Sequence, residues 1–429
     1  ALHEFAPGAT FYTRGLEMRI EGVDASADLA DQAQWWFCCE ACGYADIRGP
    51  QGSRPAAPPE CPRCRGTAIA DVGRARRVLR LTRVFADVSG DDARIGDSSD
   101  DRIRTRFEIL PLADFDPERA VRQWSVEASG FGLTRYRGMS LRWLNTGRTL
   151  AGQSVDRVAG LPVSSRDFRL CEACGKLDTD TGASTAREHR PWCAHRTDPA
   201  EHVIAVDLMR ELRTEAIAFV LPLGFATDRV GADSLTAAIR LGLEITTGGS
   251  PDHLGIAVVP HPVAGGAPGE TRPALLLHDT VPGGTGYLTD HDDPAKLWNL
   301  LVRTGRRLED CPCRTENRGM CPDCLQPHAL SGEVTRAAAL HAIRQLLGPD
   351  AEGPFADLDP EAPLWHVTDE AVRAGTGESP LEVRFRAELI DRLGKEMAVR
   401  AVGDPSGAPA LEIDGGRWRI RPQLDALGA

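Results

Sequence analysis

Eleven of the chain's twelve cysteines fall into three groups of closely spaced thiols, and that spacing limits the possible folds more than any other feature. Cys39 and Cys42 form one CxxC, and Cys61 and Cys64 form another eighteen residues on. Cys171 and Cys174 form a third, with His189 and Cys193 downstream. Cys311, Cys313, Cys321 and Cys324 follow a CxC, seven-residue, CxxC pattern. A tetrahedral zinc needs this arrangement, because each close pair brings two thiolates from one tight turn and the metal closes the loop between pairs. Disulfides are the competing use. Neighbouring cysteines in CxC or CxxC are poor structural disulfide partners in a reducing compartment, and nothing in the sequence reads as a secretory signal. Zinc is therefore the expected cofactor, in a structural role, since four thiolates leave no open coordination position.

The first group fits a zinc ribbon, with Gly43 and Pro62 suited to its two tight turns. Cys38, beside it, reads as a small buried hydrophobe rather than a ligand. The second group offers three thiolates and one imidazole, from His189 or, as an alternative, His195. The third group separates two helical patterns, so its metal is expected to lock the end of one helix against the next segment of chain.

Around these groups the sequence predicts an α+β protein: a zinc ribbon and β-rich N-terminal part, then a small α/β core with the four-cysteine site. Thr10–Thr13 and Leu16–Ile20 read as a hairpin. Residues 74–147 alternate apolar and polar runs, separated by acidic loops such as Asp91-Asp92 and Ser98–Asp101. Further on, Ala216–Leu221, Leu254–Val259 and Ala274–His278 read as buried strands. Leu235, Ile239 and Leu243 share one helix face that stops at Gly248-Gly249; Leu297, Leu300, Leu301 and Leu308 mark a second helix, and Leu340, Ile343, Leu346 and Leu347 a third. The expected divisions are 1–70, hairpin plus ribbon; 71–165, mainly β; 166–200, zinc knuckle; 201–347, α/β core; 348–378, linker; and 379–429, the start of a further domain.

With 429 residues and 42% apolar content the chain can build several cores, and no apolar run approaches the roughly 20 residues of a membrane span. A soluble cytoplasmic protein associated with the nucleoid is expected, with no membrane partner. The chain opens Ala-Leu-His without an initiator Met and stops soon after a strand-like stretch, so it is expected to be a piece of a longer polypeptide. A net charge of −12 argues against a nucleic-acid footprint over the whole surface. Arginines are nevertheless clustered at 74–83, 102–106 and 303–307, and lysine occurs only at Lys176, Lys296 and Lys395. Arg303, Arg306 and Arg307, in the last turns of the helix that feeds Cys311, are the candidates for DNA phosphate contacts.

Between the third strand and its helix lies Pro282-Gly283-Gly284-Thr285-Gly286-Tyr287. Such a turn can present backbone N–H groups to an anion through Gly283, Gly284 and Gly286, or it can simply be tight. It is neither a P-loop, lacking Gly-Lys-Ser/Thr, nor a spaced GxGxxG. His278-Asp279 with this turn leaves open a stand-alone hydrolase, although no nucleophile for the histidine is visible.

Taken together, His278-Asp279, the Pro282–Tyr287 turn and the CxC…CxxC cluster ending in Leu325 resemble the zinc-binding module found C-terminal to DEAD/DEAH-box DNA helicases of the mitomycin repair factor A type. Glu4–Gly8 and Cys171–Gly175 are also similar to segments upstream of that module. The resemblance covers roughly residues 1–345 and is most specific at 273–325. It implies an ATP-driven 3′-to-5′ helicase or translocase of DNA repair or phage defence, with Cys311, Cys313, Cys321 and Cys324 as structural zinc ligands. The sequence has no Walker A, no DEAH-type box and no helicase arginine motif, so the resemblance places the motor upstream in the same polypeptide or in a partner chain. Single-stranded or forked DNA is the implied ligand. Ser379–Phe385 and Trp418–Gln423 resemble the first helix and strand of very-short-patch-repair-like endonucleases of the PD-(D/E)xK class. That resemblance makes Glu382 a counterpart of the helix acid, but the Asp and ExK core is missing.

Overall fold

The computed structural model describes residues 2, 4–14, 16–25, 28–50, 53–86, 107–149, 156–178, 189–197, 202–226, 228–249, 252–263, 266–316, 318–325, 334–369, 399–403, 409–413 and 418–420. The chain divides into two compact units, each drawn from separated stretches of sequence: Ala1–Asp114, Leu141–Glu211 and Pro262–Thr271, and Phe115–Ser140, Leu212–His261 and Arg272–Ala429.

The first unit is built almost entirely of strands. Its hairpin pairs Thr10–Thr13 with Leu16–Arg19, Thr10 facing Arg19. Gln34–Cys38 pairs antiparallel with Ala45–Arg48 on one side and with Arg76–Arg80 on the other. Arg76–Arg80 then runs parallel to the Asp207–Met209 part of the strand Val203–Val220. Alternate side chains such as Trp36, Val78 and Leu144 face one small core, while Leu79, Leu170 and Leu208 face another. Charged residues interrupt this alternation where they find partners. Arg76 Nη1 lies 2.9 Å from the carboxylate of Asp207, which is 2% exposed, and Arg142 lies 2.9 Å from Glu211. A buried carboxylate is tolerable only with such a partner.

The second unit places three helices on a sheet, and one apolar core joins them. Ala216–Val220 pairs antiparallel with Ala274–His278. The strand Leu254–Pro262 flanks the strand Thr271–Asp279, and Ala120–Val126 pairs with the start of Gly132–Thr149. The helices are α1 (Arg229–Thr247), α2 (Pro294–Glu309) and α3 (Arg336–Leu347). Their boundaries come from capping chemistry. Asp228, Asp293 and Thr335 each accept hydrogen bonds from first-turn N–H groups, Pro294 opens α2, and Gly248 ends α1 at φ +73°. Asp292 fixes the entry to α2. Its buried carboxylate accepts from Arg122 at 2.8 Å and forms an ion pair with Arg135 at 2.8 Å, and its carbonyl accepts from Trp124 Nε1.

The fold class expected from the sequence is the one observed, and the four-cysteine site lies in sequence between α2 and α3. The glycine turn lies between strand and helix as expected, but it does not lead straight into α2. A 3-10 turn at Tyr287–His291 intervenes, because Asp292 and Asp293 hold the chain out of the helix until Pro294. Trp418–Ile420 is a strand, in an antiparallel meander with Val399–Gly403 and Pro409–Ile413. The expected helix at Ser379–Phe385, with Glu382, and the acidic loops at 91–101 lie outside the described residues. Among the described residues no helix is long and apolar enough to cross a membrane.

Candidate metal centres

Folding brings each sequence group to a point. Cys39, Cys42, Cys61 and Cys64 form the first centre, Cys171, Cys174, His189 and Cys193 the second, and Cys311, Cys313, Cys321 and Cys324 the third. Within each, the four ligand atoms all lie within 4.8 Å of one another.

In the first centre, Cys39 and Cys42 sit in the turn between Gln34–Cys38 and Ala45–Arg48. Cys61 and Cys64 come from a second turn. Both turns close alike, with the N–H of Gly43 donating to the Cys39 carbonyl and that of Arg65 to the Cys61 carbonyl. Gly43 has φ +76° and Arg65 φ +60°, so a left-handed residue comes after each CxxC. The second centre repeats the device: Gly175, φ +70°, donates to the Cys171 carbonyl. In the third, Leu325 N–H donates to the Cys321 carbonyl.

A tetrahedral zinc with Zn–S bonds of about 2.3 Å sets its sulfurs about 3.8 Å apart. The sulfurs of Cys39 and Cys64 lie 3.5 Å apart, those of Cys42 and Cys61 3.6 Å, Cys171 and Cys193 3.7 Å, Cys311 and Cys321 3.5 Å, and Cys313 and Cys324 3.7 Å. These distances exceed a disulfide bond of about 2.05 Å by far and fit a shared cation. His189 is the histidine that reaches the second centre, its Nδ1 3.5 Å from Cys193 Sγ and 3.8 Å from Cys174 Sγ. His195 stacks on His202 instead, with ring centroids 3.6 Å apart.

The thiol acidities show the same crowding. Hydrogen bonds from Cys39 and Cys42 hold Cys61 down at about 4, and one from Cys171 holds Cys174 at about 4. Burial pushes Cys321 up, but hydrogen bonds from Cys311, the Asp323 backbone and other thiols outweigh it and leave the group at about 7. The neighbours Cys42 and Cys171 are driven upward by the same thiol contacts, and burial drives Cys324 up to about 12. Crowded thiols of this kind bind a divalent cation by giving up protons to it. The donor sets fit zinc, since soft thiolates with at most one imidazole in a tetrahedron are its preferred structural ligands. Cys38 stands apart: it is buried, its thiol is pushed up to about 12 by desolvation, and its side chain joins an apolar core.

One neighbour of the third centre has no signature in the sequence. Arg336, the first residue of α3, places Nη1 2.8 Å from Cys313 Sγ. It lies beyond Cys324 in sequence, and only the fold brings it to the thiols.

The arginines, the glycine turn and the histidine singled out in the sequence have definite surroundings as well. Arg306 donates to the carbonyls of Phe355, Ala356 and Leu358, so its guanidinium is committed to the segment beside α2. Arg303 and Arg307 are more exposed, Arg303 3.4 Å from Glu361 and Arg307 donating to the Asp323 carbonyl at 3.3 Å. Gly283, Gly284 and Gly286 all have φ near +85°. The N–H of Gly283 donates to the Arg213 carbonyl and that of Gly284 to the Val281 carbonyl. Asp279 accepts from Val281 N–H at 2.9 Å and from the N–H and hydroxyl of Thr285, so the protein's own carboxylate occupies the turn. His278 is buried, with its Nδ1 3.0 Å from the Asp279 carbonyl and its ring lying over Gly255.

Residues 235–325 match the family model of the MrfA Zn-binding domain, a span that runs from α1 to the residue after Cys324 and contains the third centre. No curated protein matches the chain. Among solved structures the chain is similar to the DUF1998 helicase MrfA bound to DNA, at 12% identity and a TM-score of 0.28. That alignment covers 56% of this chain and 26% of the helicase chain, so it spans about a quarter of the helicase.

Proposed function

We propose that this chain is a zinc-stabilised accessory region of an ATP-dependent DNA helicase, and that it steers a DNA strand for a motor carried elsewhere in the same polypeptide or in a partner. The match of residues 235–325 to the MrfA Zn-binding domain carries this reading. The residues it covers include a complete four-thiolate centre at the end of α2. Work in DNA repair or in defence against phage is part of the proposal, on the strength of the resemblance at residues 273–325.

The chain's own residues would contribute rigidity and charge. A zinc held by Cys311, Cys313, Cys321 and Cys324 would fix the last turn of α2, and with it the direction of Arg303 and Arg307. Both can turn to phosphate oxygens at little cost, because a surface ion pair and a long hydrogen bond hold them only weakly. Zinc at the other two centres would hold the strands of the first unit in place. ATP hydrolysis belongs to the motor in this reading, so the chain alone is expected to turn over no ATP. A stand-alone hydrolase at His278 and Asp279 is less well supported, since Asp279 is spent on the turn.

The test is a salt titration of single-stranded and forked DNA binding, for wild type and an Arg303→Gln, Arg307→Gln double variant. Weaker binding of all sequences, with the slope of log affinity against log salt reduced by about 0.7 per lost contact on a single strand, is the expected result. Failure of the wild type to bind either DNA would sink the proposal, whereas unchanged affinity and slope in a folded variant would remove only these two arginines.

A further inference from the structure

Leu2, Phe5, Leu81 and Val84 form the apolar wall of a cleft of about 200 Å³ in the first unit, and Thr82, Arg83 and Arg210 complete its lining. The cleft is smaller than the roughly 300–1,000 Å³ pockets that hold drug-sized ligands, so it suits a single flat ring system. Its wall is ordered by packing. Leu2 is 7% exposed, and Phe5 lies against Phe11 with ring centroids 5.2 Å apart.

The two arginines differ from several others in the chain. Arg63, Arg76, Arg122 and Arg142 each sit within 3 Å of a carboxylate. Arg83 and Arg210 are exposed and have no carboxylate partner among the described residues. Arg210 instead holds its guanidinium over the Trp143 ring, 5.6 Å from the centroid. In a chain of net charge −12, two cations that line an apolar cleft and have no carboxylate partner among the described residues form a local site for an anion. An aromatic ring and apolar side chains sharing a cleft with two guanidinium groups match a ligand with a flat ring at one end and a phosphate at the other.

We propose that this cleft holds one nucleotide of a single DNA strand, the base against Phe5 and the phosphate between Arg83 and Arg210. The proposal rests on the DNA-steering reading above and adds to it a contact in the first unit. Base stacking tolerates any sequence, so the site would grip a strand without reading it.

The experiment uses the full zinc-loaded chain and two probes, a fluorescent thymidine oligonucleotide and thymidine 5′-monophosphate. Arg83→Gln and Arg210→Gln are each expected to weaken oligonucleotide binding about threefold at moderate salt and to lower the salt slope by about 0.7. Phe5→Leu is expected to weaken it about fivefold or more, with Phe5→Tyr restoring it. Arg229→Gln, on the exposed start of α1, serves as the charge control, and thermal melting confirms that each variant is folded. Wild-type affinity and slope in both arginine variants, while the Arg303→Gln, Arg307→Gln variant is weakened, would overturn the cleft and leave the DNA reading standing. No oligonucleotide binding by the wild type would overturn the DNA reading. The monophosphate then decides the cleft: binding weakened by Arg83→Gln keeps it as a mononucleotide site, and no binding removes it.

Discussion

Arg336 touches Cys313 Sγ from outside the ring of ligands, and its charge is the reason to expect an effect on the metal. A zinc with four thiolates carries two net negative charges, and an arginine hydrogen bond to one sulfur offsets part of that charge and fixes the thiolate's direction. Arg336→Gln should therefore weaken zinc at the third centre about tenfold and leave the other two unchanged. Competition with a chromogenic chelator, read as the fraction of zinc released early, measures this. Release of all the zinc at the wild-type rate would show that the contact is incidental. Gly175 makes a second case at this scale. Its φ is +70°, and a Cβ there would lie 1.9 Å from the Val23 carbonyl oxygen, a backbone atom that cannot step aside. Left-handed strain costs about 1–2 kcal/mol and overpacking about 1–3, so Gly175→Ala should destabilise the first unit by more than about 2 kcal/mol in denaturant melts. A loss near zero would mean that the knuckle shifts freely. That glycine is legible as the residue after CxxC. Arg65, in the same conformation after Cys64, is not, because nothing in a sequence marks an arginine as left-handed.

The helices are legible because each carries its own instructions. Leu235, Ile239 and Leu243 repeat at helical spacing on α1, and Asp228 and Gly248 mark its ends. The two eighteen-residue strands, Gly132–Thr149 and Val203–Val220, read only as short fragments. Their alternation is broken by Arg135, Arg137, Arg142, Asp207, Glu211 and Glu215, which look like loop residues until their ion pairs form. Arg306 shows the opposite failure. In the sequence it looks available to a phosphate, but the carbonyls that take it up lie about fifty residues away. Packing between helices is equally invisible. A Cβ on Gly242 of α1 would stand 2.4 Å from Thr304 Oγ1 and 2.6 Å from Leu300 Cδ2 of α2. Most residues would improve helix propensity there by a fraction of 1 kcal/mol, but overlap with a packed helix costs about 1–3 kcal/mol and wins. Gly242→Val should lower the urea midpoint of the second unit by an amount equivalent to about 2 kcal/mol. An unchanged midpoint would show that α1 and α2 can part without loss.

For the molecule as a whole, the cysteine spacing forecasts all three centres, because a metal site written as close pairs in sequence needs only one loop to close. In the two four-cysteine groups every sulfur named from the sequence comes together, and at the second group His189 lies beside the thiols while His195 stacks on His202. In a chain whose first unit depends on strands crossed by buried charges, the metals are expected to stabilise the fold itself, since zinc binding and folding share one free energy. Elemental analysis of the purified chain, before and after exhaustive chelation and with circular dichroism on both samples, tests this most directly. Three zinc ions per chain, and loss of ordered structure when they are removed, is the predicted result. Iron in their place, or a chain that keeps its fold with less than one metal, would contradict it.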